Sequence, residues 1–413
     1  VGAATPTLEE MWAVVQRQQA QIDALENALE LSEEKLQSAE QALEESSSVR
    51  RDLDDQRSQL DMTTGMVEAT AGAIESGQMG GGGSNVSIGG YGELHYNDLD
   101  VGEEIDFHRF VLFFGYEFAD NLSFFSEVEL EHSLAGDGAP GEVELEQAFV
   151  QYDYTPGHNA KMGLFLLPIG QLNEVHEPDT FYGVERNGIE SQIIPTTWWE
   201  AGAALSGEVT PGWAYDFAVH SGLNLDTRNA SIARRSSIRS GRQKVAEANG
   251  DALAYTARLA FTGIPGFRWQ TAFQYQSDLT QGDDDGVGIS DLDATLFETD
   301  VSLQQGIFGL RALYARWDID DRIELLNPGA NEQYGWLIEP SVRFGNGLGL
   351  FARYGEYDLT AGRATASNVR GQWDLGVNYW LHENVVLKAD VQRQENDQGN
   401  DIDGFNLGLG YSF

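Results

Sequence analysis

Short apolar–polar alternations, separated by turns of two alternating lengths, dominate the chain from Val86 to its end and restrict it more than any other feature. In GFNLGLGYSF the residues Phe405, Leu407, Leu409, Tyr411 and Phe413 alternate with Asn406, glycines and a serine. LSFFSEVELEH sets Leu122, Phe124, Val128 and Leu130 on one face and Glu127, Glu129 and Glu131 on the other. FRWQTAFQYQ and NVVLKADVQRQ repeat the pattern at residues 267–276 and 384–394. A period of two places successive side chains on opposite faces of a strand.

Tight turns fall at Phe118–Asn121, Thr155–His158, Thr210–Trp213, Ile264–Phe267, Gln305-Gly306, Gly345–Gly347 and Leu381–Asn384. Several carry Pro-Gly or Asn-Gly turn chemistry. Longer polar loops are expected near 96–105, 132–141, 168–198, 224–250, 278–291, 319–333, 359–369 and 396–402. Seven turns and eight loops join sixteen strands of roughly 9–13 residues. A soluble sandwich or barrel also alternates. Short turns at one end, long loops at the other, an even strand count and aromatics near strand ends (Trp269 and Tyr379 by turns, Trp336 and Trp373 by loops) favour an all-β transmembrane barrel of 16 antiparallel strands. Sixteen strands with so polar a second face would not build one soluble core.

The first sixty residues follow a different period. Leu8, Val15, Ile22, Leu29, Leu36 and Leu43 recur every seventh position in a stretch free of Gly and Pro from Thr7 to Asp61. That spacing predicts an N-terminal α-helical coiled coil over 1–60; a single solvated amphipathic helix is the plainer alternative. Residues 61–85, with four consecutive glycines at 80–83, read as a flexible linker, and 86–413 as the barrel. The chain has no Cys and begins at Val1, as removal of a signal peptide or trimming of a longer chain would leave it. No run of 18 apolar residues is present for a membrane helix.

Charge sharpens the functional reading. The 413 residues hold 66 acidic and 25 basic side chains, for a formal net charge of −41. Nucleic acid is therefore not an expected partner, because its phosphates repel a net anion. Yet TRNASIARRSSIRSGRQK, residues 227–244, gathers Arg228, Arg234, Arg235, Arg239, Arg242 and Lys244 with no acid among them. It lies in one of the two loops long enough to fold into a barrel, 224–250; the other, 168–198, reads as a packed constriction loop. If the basic segment lines the lumen, its cations select anions, and Arg offers a planar fork to carboxylate or phosphate. The bland alternative is an exposed loop that meets lipopolysaccharide phosphates.

Parity along the strands directs further cations inward: Lys161, Arg258, Arg268, Arg311, Arg343, Arg353 and Lys388. The same parity turns Glu127, Glu129, Glu298, Glu339 and Asp374 inward. The seven His residues show no ligand spacing, the Asp clusters at 283–285 and 318–321 read as solvated, and no phosphate-binding loop precedes a helix. No cofactor, metal site or catalytic residue is expected. An outer-membrane hydrolase is not excluded by composition, but no nucleophile stands out.

The closing Phe413 resembles the assembly signal of Gram-negative outer-membrane proteins. Gly163, Phe165, Pro168 and Gly170, at a strand end that opens onto a long loop, resemble a motif of the phosphate-selective porin family. With the coiled-coil prefix, the chain looks most like that family's dicarboxylate-channel branch. The resemblance implies a homotrimer in the outer membrane, in contact with lipid and lipopolysaccharide, that passes small anionic solutes such as phosphates or dicarboxylates through inward-folded loops. It also implies a periplasmic helical extension. A structural anchor that tethers the envelope to peptidoglycan through residues 1–60 is the alternative role.

Overall fold

A computed structural model describes residues 12, 16 and 85–413, apart from 137, 226–236, 283–288, 363–367 and 397–400. By internal contacts the chain divides into two units, Val1–Gly77 and Gln78–Phe413. Apart from Trp12 and Gln16, the expected coiled coil lies outside the described residues, as do nearly all of the glycine-rich linker and Arg228, Arg234 and Arg235 of the basic segment.

The second unit is a closed barrel of sixteen antiparallel strands: β1 (Val86–Leu99), β2 (Gly102–Ala119), β3 (Leu122–Glu131), β4 (Val143–Thr155), β5 (His158–Leu166), β6 (Trp199–Thr210), β7 (Trp213–His220), β8 (Ala254–Ile264), β9 (Phe267–Gln276), β10 (Ala294–Gln305), β11 (Phe308–Ile319), β12 (Glu332–Arg343), β13 (Leu348–Asp358), β14 (Arg370–His382), β15 (Val385–Asn396) and β16 (Ile402–Ser412). Each strand pairs with its neighbours in sequence, and β1 closes on β16 in a register that sets Tyr91 opposite Ser412. At the seam the Gly90 amide donates to the Phe413 carbonyl and the Phe413 amide to the Gly90 carbonyl, at 3.0 and 2.9 Å. The terminal residue thus completes the closure, which leaves no sheet edge exposed.

Burial along the strands is inverted relative to a soluble protein. On β9, Gln270, Gln274 and Gln276 are fully buried, whereas Phe273 and Tyr275 are 50% and 40% exposed. On β15, Val386, Lys388 and Asp390 are buried while Leu387 and Val391 face out. Polar residues inside and apolar residues outside suit a barrel solvated by hydrocarbon. Aromatic clusters mark both ends of this apolar band: Trp213, Phe261 and Trp269 at the turn side, and Trp336, Tyr354 and Trp373 at the loop side.

At three of the seven tight turns Pro precedes a Gly with positive φ: Gly157 (+76°), Gly212 (+81°) and Gly266 (+75°). Position i+2 of a type II turn requires that conformation, which glycine adopts without steric cost. One sequence expectation fails here. The polar stretch 96–105 is not a long loop: β1 and β2 run on in register until Leu99 meets Gly102. Asp98, Glu103 and Glu104 looked like loop residues because they break the apolar alternation. A strand that continues beyond the hydrocarbon needs no apolar face.

Candidate functional site: a loop folded into the barrel

The β5–β6 connection, residues 167–198, turns into the barrel and is fixed to much of its inner wall. Its apolar residues provide the reason. Leu167, Ile169, Ile189, Ile193, Ile194 and Trp198 are buried in one cluster with wall residues Leu296, Leu313, Trp317 and Leu337. Trp198 and Trp317 pack with ring centroids 6.2 Å apart, and the Trp317 indole donates to the Ile193 carbonyl at 2.9 Å. Burying such side chains is worth about 1.5–3 kcal/mol each, so the loop has its own small core against β10–β12.

The wall makes room with glycines. A Cβ on Gly335 or Gly355 would come within 2.9 or 2.8 Å of Ile189, and one on Gly410 within 2.4 Å of Pro178. In the sequence, Gly410 is one of the alternating glycines of GFNLGLGYSF. The role of Gly335, Gly355 and Gly410 as seats for the loop has no local signature, since the residues they admit lie up to 232 positions away.

Polar wall groups then tie down the loop backbone. Trp380 donates to the Asp179 carbonyl, Asn378 to Phe181, Arg353 to Tyr182 and Lys388 to Gly183, at 2.8–3.2 Å. The Val184 amide donates to Asp390 at 2.7 Å. Further along, Glu185 meets His95 on β1 at 2.9 Å and accepts from Asn97, also at 2.9 Å. Burial alone would raise the Glu185 carboxyl, but the hydrogen bond and charge of His95, with the Asn97 amide, hold it at about 2.

The wall cations lie on the buried faces of their strands and have partners. Arg311 pairs with Glu190 of the loop at 2.5 Å. Burial opposes the Glu190 charge, yet Arg311, the Leu172 amide and Asn187 keep its carboxyl below the usual range. Arg353 sits between Glu339 (3.2 Å) and Asp374 (2.9 Å), and Arg258 between Glu174 and Asp216. Lys388 lies 3.6 Å from the Phe181 ring centroid and Arg343 stacks 3.9 Å over Trp380. Lys161 lies over Phe149 and Phe165, and Arg268 donates to Gln270 at 2.5 Å. A cavity of about 460 Å³ is lined by Gln171, Thr180, Arg268, Arg311, Glu339 and Ser341, among others.

The described half of the basic segment packs on the inward loop. Arg239 donates to the carbonyls of Ser191 (3.3 Å) and Thr196 (2.7 Å), and Arg242 to that of Thr197 while stacking on Trp199 at 5.6 Å. Lys244 pairs with Glu142 at 2.6 Å and with Glu144. Burial, together with the nearby charges of Arg242 and Arg186, lowers the Arg239 guanidinium to about 10. These contacts brace one long loop against the other.

A closed, even-stranded barrel with an apolar exterior, a polar interior and an inward-folded loop defines a transmembrane channel of the bacterial outer membrane. The family model of the Gram-negative porins matches residues 63–399, and the chain belongs to that family. It is 29% identical over 357 residues to an uncharacterized protein of Aquifex aeolicus, covering 79% of this chain and 80% of that protein. Its fold is similar to that of the anion-selective porin of Comamonas acidovorans (TM-score 0.55, 12% identity, 79% of this chain and 99% of that one). It is similar to the outer-membrane channel DcaP of Acinetobacter baumannii (0.55, 10%, 79% and 97%). It is similar also to OmpT of Vibrio cholerae in its trimer form (0.53, 12%, 79% and 99%). Family and fold are those of a channel rather than an enzyme.

Proposed function

We propose that the protein is a trimeric porin for passive, anion-selective diffusion of small solutes such as phosphates or dicarboxylates. The observation that carries this reading is the cavity against the inward loop, where Arg268 and Arg311 stand with Glu339 as the one lining acid, beside hydroxyl and amide groups; Arg311 is paired with Glu190 behind it, so Arg268 is the cation that faces the cavity without an acid partner among the described residues. Arg343 lies on the same strand as Glu339, two residues beyond Ser341 of the cavity wall. Cations in a narrow, low-dielectric passage focus a positive potential and draw anions, while neutral hydroxyls and amides allow release. The basic segment 227–244 adds to that field at the constriction.

The outer-membrane channels of similar fold support the finer assignment by analogy. One is an anion-selective porin, and another was solved as a trimer. The dicarboxylate branch is the closer fit to the heptad-bearing prefix, residues 1–60, which we assign to a periplasmic three-stranded coil. The loops would meet lipopolysaccharide at the cell surface.

A second reading has its own support. Among the described residues, thirteen acidic and four basic side chains are buried, an excess of acids that would favour cations. Reversal potentials in planar bilayers under a salt gradient separate the two. Anion preference that falls in Arg268→Gln/Arg343→Gln supports the first reading; cation preference in the wild type overturns it. Native mass spectrometry of the detergent-extracted protein tests the trimer.

A further inference from the structure

His176, carried by the inward loop, ends between Glu127 of β3 and Glu146 of β4. Its Nε2 lies 3.4 Å from Glu127 Oε1 and 3.7 Å from Glu146 Oε2, and all three side chains are at most 3% exposed. None of these three atoms has a hydrogen-bond partner among the described residues, nor does His176 Nδ1. The other Glu127 oxygen accepts from Gln147 at 2.7 Å, which fixes the carboxylate.

The sheet is locally reshaped to make this cluster. Glu127 pairs with Gln147 and Val128 with Leu145, so Glu146 is an extra residue in β4. In a regular strand Glu146 and Gln147 would point to opposite faces. The bulge brings the Glu146 carboxylate inside, beside Glu127, as bulges near functional sites commonly do. Two buried carboxylates held together repel and lose hydration, which is costly without a compensating charge. Of the cations around the pair, Arg109 is engaged by Glu93 (2.6 Å) and Glu129 (3.5 Å), and Arg186 donates to the Thr197 hydroxyl at 3.0 Å.

The distances discriminate between compensations. A hydrogen bond from an imidazole to a carboxylate would close to about 2.7–3.2 Å. Bonds of about 2.0–2.2 Å in a tetrahedron instead set ligand atoms about 3.3–3.6 Å apart, close to what is found. One imidazole and two carboxylates carry two negative charges and suit a first-row divalent ion such as zinc. We propose that Glu127, Glu146 and His176 bind one zinc-like divalent cation, which clips the inward loop to the β3–β4 wall. The site neutralises the acid pair and ties the loop opposite its Arg311 anchor.

The test uses the full chain, extracted in detergent, stripped with a chelator and titrated with ZnCl₂ by calorimetry. One ion per chain is expected, with affinity reduced at least about tenfold in His176→Gln and in Glu146→Gln, since even outer-shell changes at metal sites cost about that much. His132→Gln is the control, because Asp106, His108 and His132 form a separate cluster on β2 and the β3–β4 loop. Zinc binding that survives His176→Gln but is lost in His132→Gln overturns the proposal. X-ray absorption of the zinc-loaded wild type needs no variant: one imidazole among oxygen ligands is expected, and two imidazoles, or no tightly bound zinc, overturn it.

Discussion

Arg311 on β11 and Glu190 in the inward loop form a 2.5 Å ion pair in which the carboxylate is wholly shielded from solvent. Glu190 also receives the Leu172 amide at 2.8 Å and the Asn187 amide at 2.7 Å. One side chain thus joins the start of the loop, its helical turn Ile189–Ile193 and the barrel wall. Removing one partner of such a pair strands the other as an unpaired buried charge, at a cost of about 3–5 kcal/mol. Glu190→Gln should loosen the loop, raising single-channel conductance and its noise, while Glu190→Gln/Arg311→Gln should recover much of the wild-type behaviour. Unchanged conductance in the single variant would show that the pair does not hold the loop.

Acid should act through the same loop. The Glu185 carboxyl is held at about 2, below an ordinary value of about 4.3, and Glu190 is shifted the same way. A carboxylate with a depressed folded value contributes stability that is fully present above the unfolded value and lost as pH falls through the folded one. The part of loop attachment carried by these two carboxylates should therefore be flat from neutrality to about pH 4.3 and weaken progressively toward pH 2. Conductance recorded at steps of pH would show this, with Glu185→Gln removing part of the low-pH change. A transition centred near pH 6–7 and nothing below pH 4 would contradict it.

The wall glycines give a steric prediction. A Cβ at Gly410 would lie 2.4 Å from the Pro178 Cβ, both on constrained chain. Overpacking of this kind costs about 1–3 kcal/mol. Gly410→Ala should lower the temperature at which the barrel loses its folded electrophoretic mobility and alter conductance. Gly345→Ala, where nothing lies within 4 Å of the new methyl, should leave both unchanged. Equal behaviour of the two variants would remove the seating role from Gly410.

The barrel is legible in the sequence because its signals are local. Alternation, Pro-Gly turns and an even count of strands all act within a dozen residues, and the strands form where they predict. The polar extension of β1–β2 is missed because the rule that reveals strands, an apolar outer face, lapses outside the membrane. The inward path of 167–198 is only partly legible. Its Trp198-Trp199 and paired isoleucines announce packing, but the acceptors for Lys388, Asn378 and Trp380 are backbone carbonyls, which every residue has. The cluster of His176 with Glu127 and Glu146 is hidden in the same way, since register and one bulge assemble it from residues up to 49 positions apart.

The basic segment divides into two halves with different expected roles. Arg239 and Arg242 are half-buried donors to loop carbonyls, and Lys244 is paired with two glutamates. Such cations act as braces, and the field of Lys244 is largely cancelled by its partners. Arg239→Gln/Arg242→Gln/Lys244→Gln should therefore change conductance and loop retention more than ion selectivity. Arg228→Gln/Arg234→Gln/Arg235→Gln should do the reverse, moving the reversal potential toward the cation value, if the segment sets anion preference at the constriction. The salt dependence supplies an internal check, because a field-borne preference weakens as the Debye length falls from about 10 Å at 0.1 M to about 3 Å at 1 M. A shift in selectivity confined to the first triple variant would reverse this division of roles, and no shift in either would take the segment out of selectivity altogether.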